Sequence, residues 1–421
     1  MKLAVIGGGS TYTPELADGI GRLLPGVDEL VLVDPDADRL AAVGPVSARI
    51  MAAHGHPARV RWTASLDDGA DGADAILFQL RIGGQATRQR DETWPLDCGC
   101  VGQETTGAGG FAKALRTVPI VLDLAERAVR RASPSAFIID FTNPVGIVTR
   151  ALLSAGHRAV GLCNVAIGFQ RHFAALLEVP PDRVQLGHVG LNHLTWERSV
   201  VVDDKDVLPD LLATRADEIA PHTGLAADFV RDLGMVPSYY LRYYYAHDAV
   251  VAEQRGAVTR AEEVTRIERE LLELYADPAL DTKPPQLAQR GGAWYSEAAV
   301  DLLVSLTGDR RDVQVVNTAN GATLPFLPAD AVIEVPAAIG RGGAVPVPVG
   351  PVEPLLRGLI AHVYAYEELA LDAAIRGGRD RVYDALLAHP LVGQADRAQC
   401  LTDRLIAENA HHLPWAIGDR R

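Results

Sequence analysis

The first 35 residues restrict the fold more than any other stretch of the chain. Lys2 to Ile6 (KLAVI) is a short apolar run, the pattern of a buried parallel strand. Gly7-Gly8-Gly9-Ser10 follows, then a helical stretch from about residue 11 to 24. A second apolar run, 29–33, ends at Asp34. Glycines let the backbone turn sharply and approach a bound group, and unpaired N–H groups at a helix start favour anions. Asp34 stands 25 residues beyond Gly9. A carboxylate at that strand end accepts from both ribose hydroxyls and repels a 2′-phosphate. Strand, glycine turn, helix and acidic strand end together predict an NAD site, rather than an NADP site, built on Gly7, Gly8, Gly9, Ser10 and Asp34. Tyr12 stands where a third small residue is usual. That position serves helix–strand packing, so the expectation is altered packing more than altered binding.

The alternation continues. Residues 36–53 read as a helix, 59–63 and 74–80 as strands, 111–131 as a long amphipathic helix, 136–140 as a strand, 145–155 as a helix and 158–162 as a strand. Residues 81–110, rich in glycine and polar side chains, read as a long loop. This order predicts an α/β fold whose N-terminal part, residues 1–165, is a Rossmann-type doubly wound parallel sheet with helices on both faces. From about residue 170 the alternation stops. Residues 183–189 and 196–202 read as an antiparallel pair, and 208–232, 260–276 and 352–378 as helices. Residues 166–421 are therefore expected to form a second domain of mixed α+β type. No repeat or low-complexity linker interrupts the chain.

The 421 residues are 48% hydrophobic and 22% charged, enough to bury large cores. A net charge of −14 argues against general affinity for nucleic acid or anionic membranes, but leaves room for a local basic pocket. No apolar stretch approaches the roughly 18 residues of a membrane span. The N-terminus shows neither the apolar core nor the cleavage site of a signal peptide, so a soluble cytoplasmic protein is expected. Four cysteines do not make a disulfide scaffold, and Cys98 and Cys100 read as two reduced thiols. No G-x-x-x-x-G-K-[ST] occurs, which disfavours a P-loop enzyme. With no H-E-x-x-H, any metal site must be assembled from distant segments.

Two residues draw notice for such a site. Cys163 follows the strand ending at Leu162, at the edge where open parallel sheets place their chemistry. His193 lies in GLNHLTW, just past a strand. Thiolate and imidazole together ordinarily suggest zinc. Taken singly, each reads first as a buried thiol and as a histidine satisfied by backbone. Arg88, Asn143 and Arg260 read first as solvated or ion-paired groups. The segment YYLRYYY, 239–245, is mostly core or interface by its spacing. A tyrosine titrates near about 10 and serves as a base only when a cation lowers that value.

The segments GGGSTYTPEL, IGGQATRQRDETWPLDCGCVGQETTGAGG, FTNPVGIVTRALL, GLCNVAIG, LGHVGLNHLTW, PSYYLRYY and TRAEEV together resemble glycoside hydrolase family 4, the NAD- and metal-dependent glycosidases. The resemblance spans nearly the whole chain. In LCNVxIG and GLNHLTW it is similar to the 6-phospho-β-glucosidase branch. It implies that Cys163 and His193 ligate Mn²⁺ and that Tyr240 is the general base, with a one-residue ambiguity toward Tyr239. It implies substrate contacts from Arg88, Asn143 and Arg260, the last toward a sugar phosphate, and places Asn164 beside metal and sugar. The α-branch usually carries an acidic residue at the position of Asn164. Ala166, Asp140 and Arg150 depart from the usual pattern.

The implied route is oxidation at C3 by NAD⁺, proton abstraction at C2, elimination at C1, water addition and re-reduction. This family is an exception to the two-carboxylate glycosidase scheme. The implied partner is a phosphorylated disaccharide or aryl glucoside, and the implied assembly a homodimer or homotetramer, with no nucleic acid and no membrane. Three other readings stay open. One is a relative acting on an α-linked, unphosphorylated or acidic sugar. Another is an ordinary NAD-dependent 2-hydroxy-acid dehydrogenase, and the third a non-catalytic NAD-binding regulator.

Overall fold

The computed structural model describes residues 1–291, 294–308 and 310–418. Six strands carry the N-terminal alternation: β1 (Lys2–Ile6), β2 (Glu29–Val33), β3 (Arg59–Thr63), β4 (Ala75–Phe78), β5 (Phe137–Asp140) and β6 (Ala159–Gly161). They run parallel in the order β3-β2-β1-β4-β5-β6, the doubly wound arrangement expected from the sequence. The order reverses between β1 and β4, which opens a crevice beyond their carboxyl ends. Along β1, Leu3 and Val5 pack into one core with Leu16, Val43 and Leu302. Ala4 and Ile6 pack into the other with Phe111, Leu115 and Tyr366. Both faces are covered, so the strand reads as a continuous apolar run.

The sheet does not stop at β6. The later strands are β7 (Val184–Leu191), β8 (Leu194–Val202), β9 (Lys205–Asp206), β10 (Val236–Pro237), β11 (Val313–Ala319), β12 (Val332–Gly340) and β13 (Gly343–Pro346). Beyond β6 the order is β11-β12-β7-β8-β10, with β13 on β12 and β9 on β8. The described residues thus form one 13-stranded sheet. Its α/β half continues without a break into an antiparallel α+β half. The expected hairpin is β7–β8. The stretch read as one helix over 208–232 is two, Leu208–Thr223 and Ala227–Leu233. The first ends at Gly224, whose φ of +66° is a left-handed cap that favours glycine.

Two expectations fail for identifiable reasons. Residues 81–110 are not a loop: they contain the helix Gly84–Asp97 and the start of the helix Gly107–Val129. The first helix buries Thr87, Asp91 and Glu92 beside Trp94 and Pro95. It therefore lacks the apolar stripe by which a surface helix is read. Cys98 is not a reduced thiol: it is disulfide-bonded to Cys400 on the helix Ala395–Asn409, with a Cα–Cα separation of 5.9 Å. The partner lies 302 residues away, so no local spacing announces the pair. Cys100 and Cys163 are free and buried. Among the described residues, no helix is long and apolar enough to cross a membrane.

Candidate active site

The glycine turn is pressed onto β2. Gly7 has φ +87°, and the N–H groups of Gly7 and Gly8 both donate to Val33 O at 2.9 Å. A Cβ on Gly8 would lie 2.7 Å from the Leu32 Cβ, so no larger residue fits. Asp34 is held in place: its Oδ2 accepts from Gly9 N at 3.0 Å and its Oδ1 from Asp36 N at 3.0 Å. Ser10 Oγ accepts from Tyr12 N at 3.2 Å. Tyr12 does not fill a helix–strand contact. The helix starts after it, at Thr13, and Thr13 Oγ1 bridges Gly8 O and Gln79 Nε2. The Tyr12 ring instead faces the cavity, edge-on to Tyr295 with centroids 6.3 Å apart.

From this turn a cavity of about 890 Å³ runs across the carboxyl edge of the sheet. Its wall includes Gly7, Ser10 and Asp34 at one end. Further along it gathers Arg88, Asn143, Asn164, His193, Tyr239, Tyr240 and Arg260. Gly8, Gly9 and Cys163 do not line it. Cys163 is buried just past β6, where Val165 N–H, the Asn192 amide and the Tyr295 hydroxyl stand close enough to its sulfur to favour the thiolate. His193 occupies the two-residue turn between β7 and β8 at φ +62°, a conformation that costs a non-glycine residue energy. Its Nδ1 lies 3.0 Å from Thr105 Oγ1, and its ring stacks on Tyr240 at 3.5 Å between centroids, 9° from parallel.

Burial pushes the His193 pKa down to about 4, so the imidazole is neutral and able to donate a lone pair. Burial raises the Cys163 thiol, and Glu334 nearby adds to that. A bound cation reverses this for a coordinating thiol. Three donor groups beside one sulfur suit a thiolate, and a neutral imidazole is a ready second ligand. The residues present therefore fit a divalent metal. Among the described residues no three His, Cys, Asp or Glu side chains form a complete cage. A two-ligand site leaves positions for substrate oxygens. Burial holds the Tyr240 phenol well above its ordinary range, with Cys163 and Tyr243 adding to it and Arg88 opposing it.

Charge around Tyr240 comes from residues the sequence reading passed over. Glu104, in GQETTG, is buried among Arg81, Arg88 and Lys113. Burial works against its carboxylate, but the three cations outweigh it and hold the pKa well below the usual range. Burial lowers Lys113 to about 8. Glu92 accepts from Arg88 at 2.7 Å and from Ala261 N at 2.8 Å, which ties the arginine to the helix Arg260–Tyr275. Arg88 is therefore not a solvated group. Asn143 Oδ1 is buried in the cavity wall with no partner among the described residues. Arg260 sits at the rim, paired with Glu263 and Gln289 O. Each of these clusters draws on several segments, so no local motif singles out Glu104, Lys113 or Tyr295.

Comparison with known proteins agrees with this geometry. Residues 2–179 match the family 4 glycosyl hydrolases and residues 188–392 match the family 4 glycosyl hydrolase C-terminal domain. The chain is 33% identical to the 6-phospho-β-glucosidase of Escherichia coli (strain K12), over 98% of this chain and 96% of that protein. It superposes with a TM-score of 0.91 on the 6-phospho-β-glucosidase from Thermotoga maritima solved with manganese, NAD⁺ and glucose-6-phosphate. That protein is 31% identical, and the match covers 98% of this chain and 99% of that one. A 6-phospho-α-glucosidase from gut microorganisms, solved with NAD and glucose-6-phosphate, gives a TM-score of 0.89 at 25% identity over 98% of this chain and 99% of its own. The chain belongs to glycosyl hydrolase family 4.

Proposed function

We propose that this protein hydrolyses 6-phospho-β-glucosides in an NAD⁺- and Mn²⁺-dependent reaction. The observation that carries the reading is that a single cavity joins the Asp34 turn to the stacked His193–Tyr240 pair, with Cys163 buried behind it. When bound, NAD⁺ supplies a reversible hydride acceptor for the sugar C3–H, and a divalent metal supplies Lewis-acid polarisation of the sugar oxygens. Cys163 and His193 are the residues to hold that metal. Gly7 to Ser10 and Asp34 hold the dinucleotide.

Tyr240 is the base for the C2 proton. It lies in the cavity against His193, whereas the Tyr239 hydroxyl accepts from Arg242 at 2.6 Å and its side chain is 41% exposed. Arg88 stands beside Tyr240 and favours its phenolate. Asn143, with its orphaned oxygen, takes a sugar hydroxyl. Arg260 opens the helix Arg260–Tyr275, whose first N–H groups are already satisfied by the Thr259–Glu262 capping box, so the guanidinium is the group to meet a 6-phosphate. Asn164 lines the cavity without an acidic group, which favours the β-linked over the α-linked sugar.

The test is nitrophenol release from the β-glucoside 6-phosphate, its α-anomer and the unphosphorylated β-glucoside, with and without NAD⁺ and Mn²⁺. Cleavage of the β-phosphate alone, needing both additions and leaving no net NADH, is expected. Cleavage of a different substrate moves the specificity, and NADH accumulation without cleavage favours a dehydrogenase. Tyr240→Phe is expected to lower kcat by roughly 10²–10⁴ while NAD⁺ binding is kept. Unchanged kcat in that variant excludes Tyr240 as the base.

A further inference from the structure

A row of register partners crosses four strands behind the cavity. Gly161 of β6 faces Asn317 of β11, Asn317 faces Glu334 of β12, and Glu334 faces Gly190 of β7. Two residues beyond each end of that row stand Cys163 and Asn192, and His193 follows Asn192. The ligand-bearing segments therefore leave the sheet from opposite ends of one cross-strand line, and Glu334 lies on it.

The side chain of Glu334 uses both oxygens. Oε2 accepts from the Asn192 amide at 2.8 Å and from the Asn317 amide at 2.9 Å. Oε1 lies 3.2 Å from His188 Nε2. His188 Nδ1 is in turn 2.6 Å from Glu197 Oε1. Glu334, His188, Glu197 and Asn317 are all 1% exposed or less. Asn192, which Glu334 orients, also stands beside the Cys163 sulfur. The geometry points to Glu334 as a positioning residue for the Cys163–His193 pair: its carboxylate, braced by His188 and Asn317, fixes the Asn192–His193 turn and, through Asn192, the Cys163 sulfur. Burying two carboxylates around one histidine is costly compared with an apolar packing of the same volume. Here it supplies a rigid strut of net negative charge beside a site for a cation. Outer groups of this kind orient the ligands they touch and tune affinity for the metal.

This inference rests on the reading of Cys163 and His193 as metal ligands, and the test separates the two. Mn²⁺ is titrated into the full chain with free Mn²⁺ followed by EPR, and NAD⁺ affinity is measured in parallel. Co²⁺-loaded protein is scanned for thiolate-to-cobalt charge-transfer absorption. In Glu334→Gln one acceptor oxygen becomes an N–H donor facing donors. Mn²⁺ affinity is expected to fall about ten- to hundredfold, with a shifted cobalt band and NAD⁺ affinity within about twofold.

If Cys163→Ser binds Mn²⁺ as the wild type does, the ligand reading and this inference both fail. If wild-type binding depends on Cys163 but Glu334→Gln keeps full Mn²⁺ affinity and an unshifted band, the inference alone is overturned. Should Glu334→Gln not fold, Asn317→Ser decides. Asn317 bonds Glu334 and, among the described residues, bonds neither Cys163 nor His193, so Mn²⁺ binding weakened several-fold supports the strut and unchanged binding overturns it.

Discussion

Asp34 shows what one residue can decide. Its carboxylate is fixed by two backbone N–H groups, so it points along the nucleotide end of the cavity without needing a partner side chain. Asp34→Ser removes both the acceptor and the charge that repels a 2′-phosphate. Hydrogen bonds to a charged group contribute about 1.5–3 kcal/mol, so NAD⁺ affinity should fall roughly ten- to hundredfold and the preference over NADP⁺ should narrow. Titration of both cofactors checks this, and an unchanged ratio would remove Asp34 from the ribose site. The place of Asp34 was legible because Asp36 is two residues along the chain and Gly9 lies in the turn that follows the paired strand. His193 was not. Its reading as a histidine satisfied by backbone gives way to a ring held by the Thr105 hydroxyl and the Tyr240 face, two contacts from distant segments.

The helix Gly84–Asp97 shows the same division among elements. It carries Arg88 and Glu92 into the cavity and is fastened by buried pairs as well as by Trp94 in the core. Arg116 donates to both oxygens of Asp91, one of them at 3.0 Å, and the two side chains are almost fully buried. Arg116→Ala strands a buried carboxyl, and the expected loss is about 3–5 kcal/mol in urea unfolding. A loss below about 1 kcal/mol would mean that the helix is held elsewhere. The far end of the helix is tied by Cys98–Cys400. Reduction, or Cys400→Ser, should lower unfolding stability by roughly 2–4 kcal/mol. A thiol count of four in the untreated native protein would contradict the bond.

Across the whole molecule, buried and half-buried histidines push the pH dependence of stability one way below pH 6.5, while the raised carboxyls of Asp91 and Glu367 oppose them. Burial lowers His172, His193 and His412 to about 4 and His389 to about 3. The unfolded chain binds protons at these sites below about pH 6.5 while the folded chain does not, so their contribution to stability rises with pH from about 4 to 6.5. His188 behaves oppositely. Burial alone would lower it, but Glu197 and Glu334 raise it to about 10. It keeps its proton in the folded state, and its contribution, complete below about pH 6.5, is lost as pH rises toward 10, at up to about 1.4 kcal/mol per pH unit. Lys113, lowered by burial to about 8, offsets that loss above pH 8. Glu367, raised by burial to about 8, keeps a proton the unfolded chain has lost and deepens the fall up to pH 8, so metal-free protein should lose stability from pH 6.5 to 8. Denaturant unfolding at half-unit steps tests this, and a flat profile between 6.5 and 8 would place the His188 proton elsewhere.

The sequence by itself determined the parallel half of the sheet, the glycine turn after β1 and the β7–β8 pair. Each is specified by periodicity and turn chemistry within a few tens of residues, where neighbours in sequence are neighbours in space. Its family motifs named Cys163, His193 and Tyr240 as a set. Only the tertiary structure decided the rest: that both halves share one sheet, that Cys98 meets Cys400, that a polar helix lies where a loop was expected, and that Glu104 and Glu334 lie behind the site. Those residues are buried and charged, and their partners come from strands and helices far apart in the chain. Their stability is a property of the assembled pairs, and no local pattern records it.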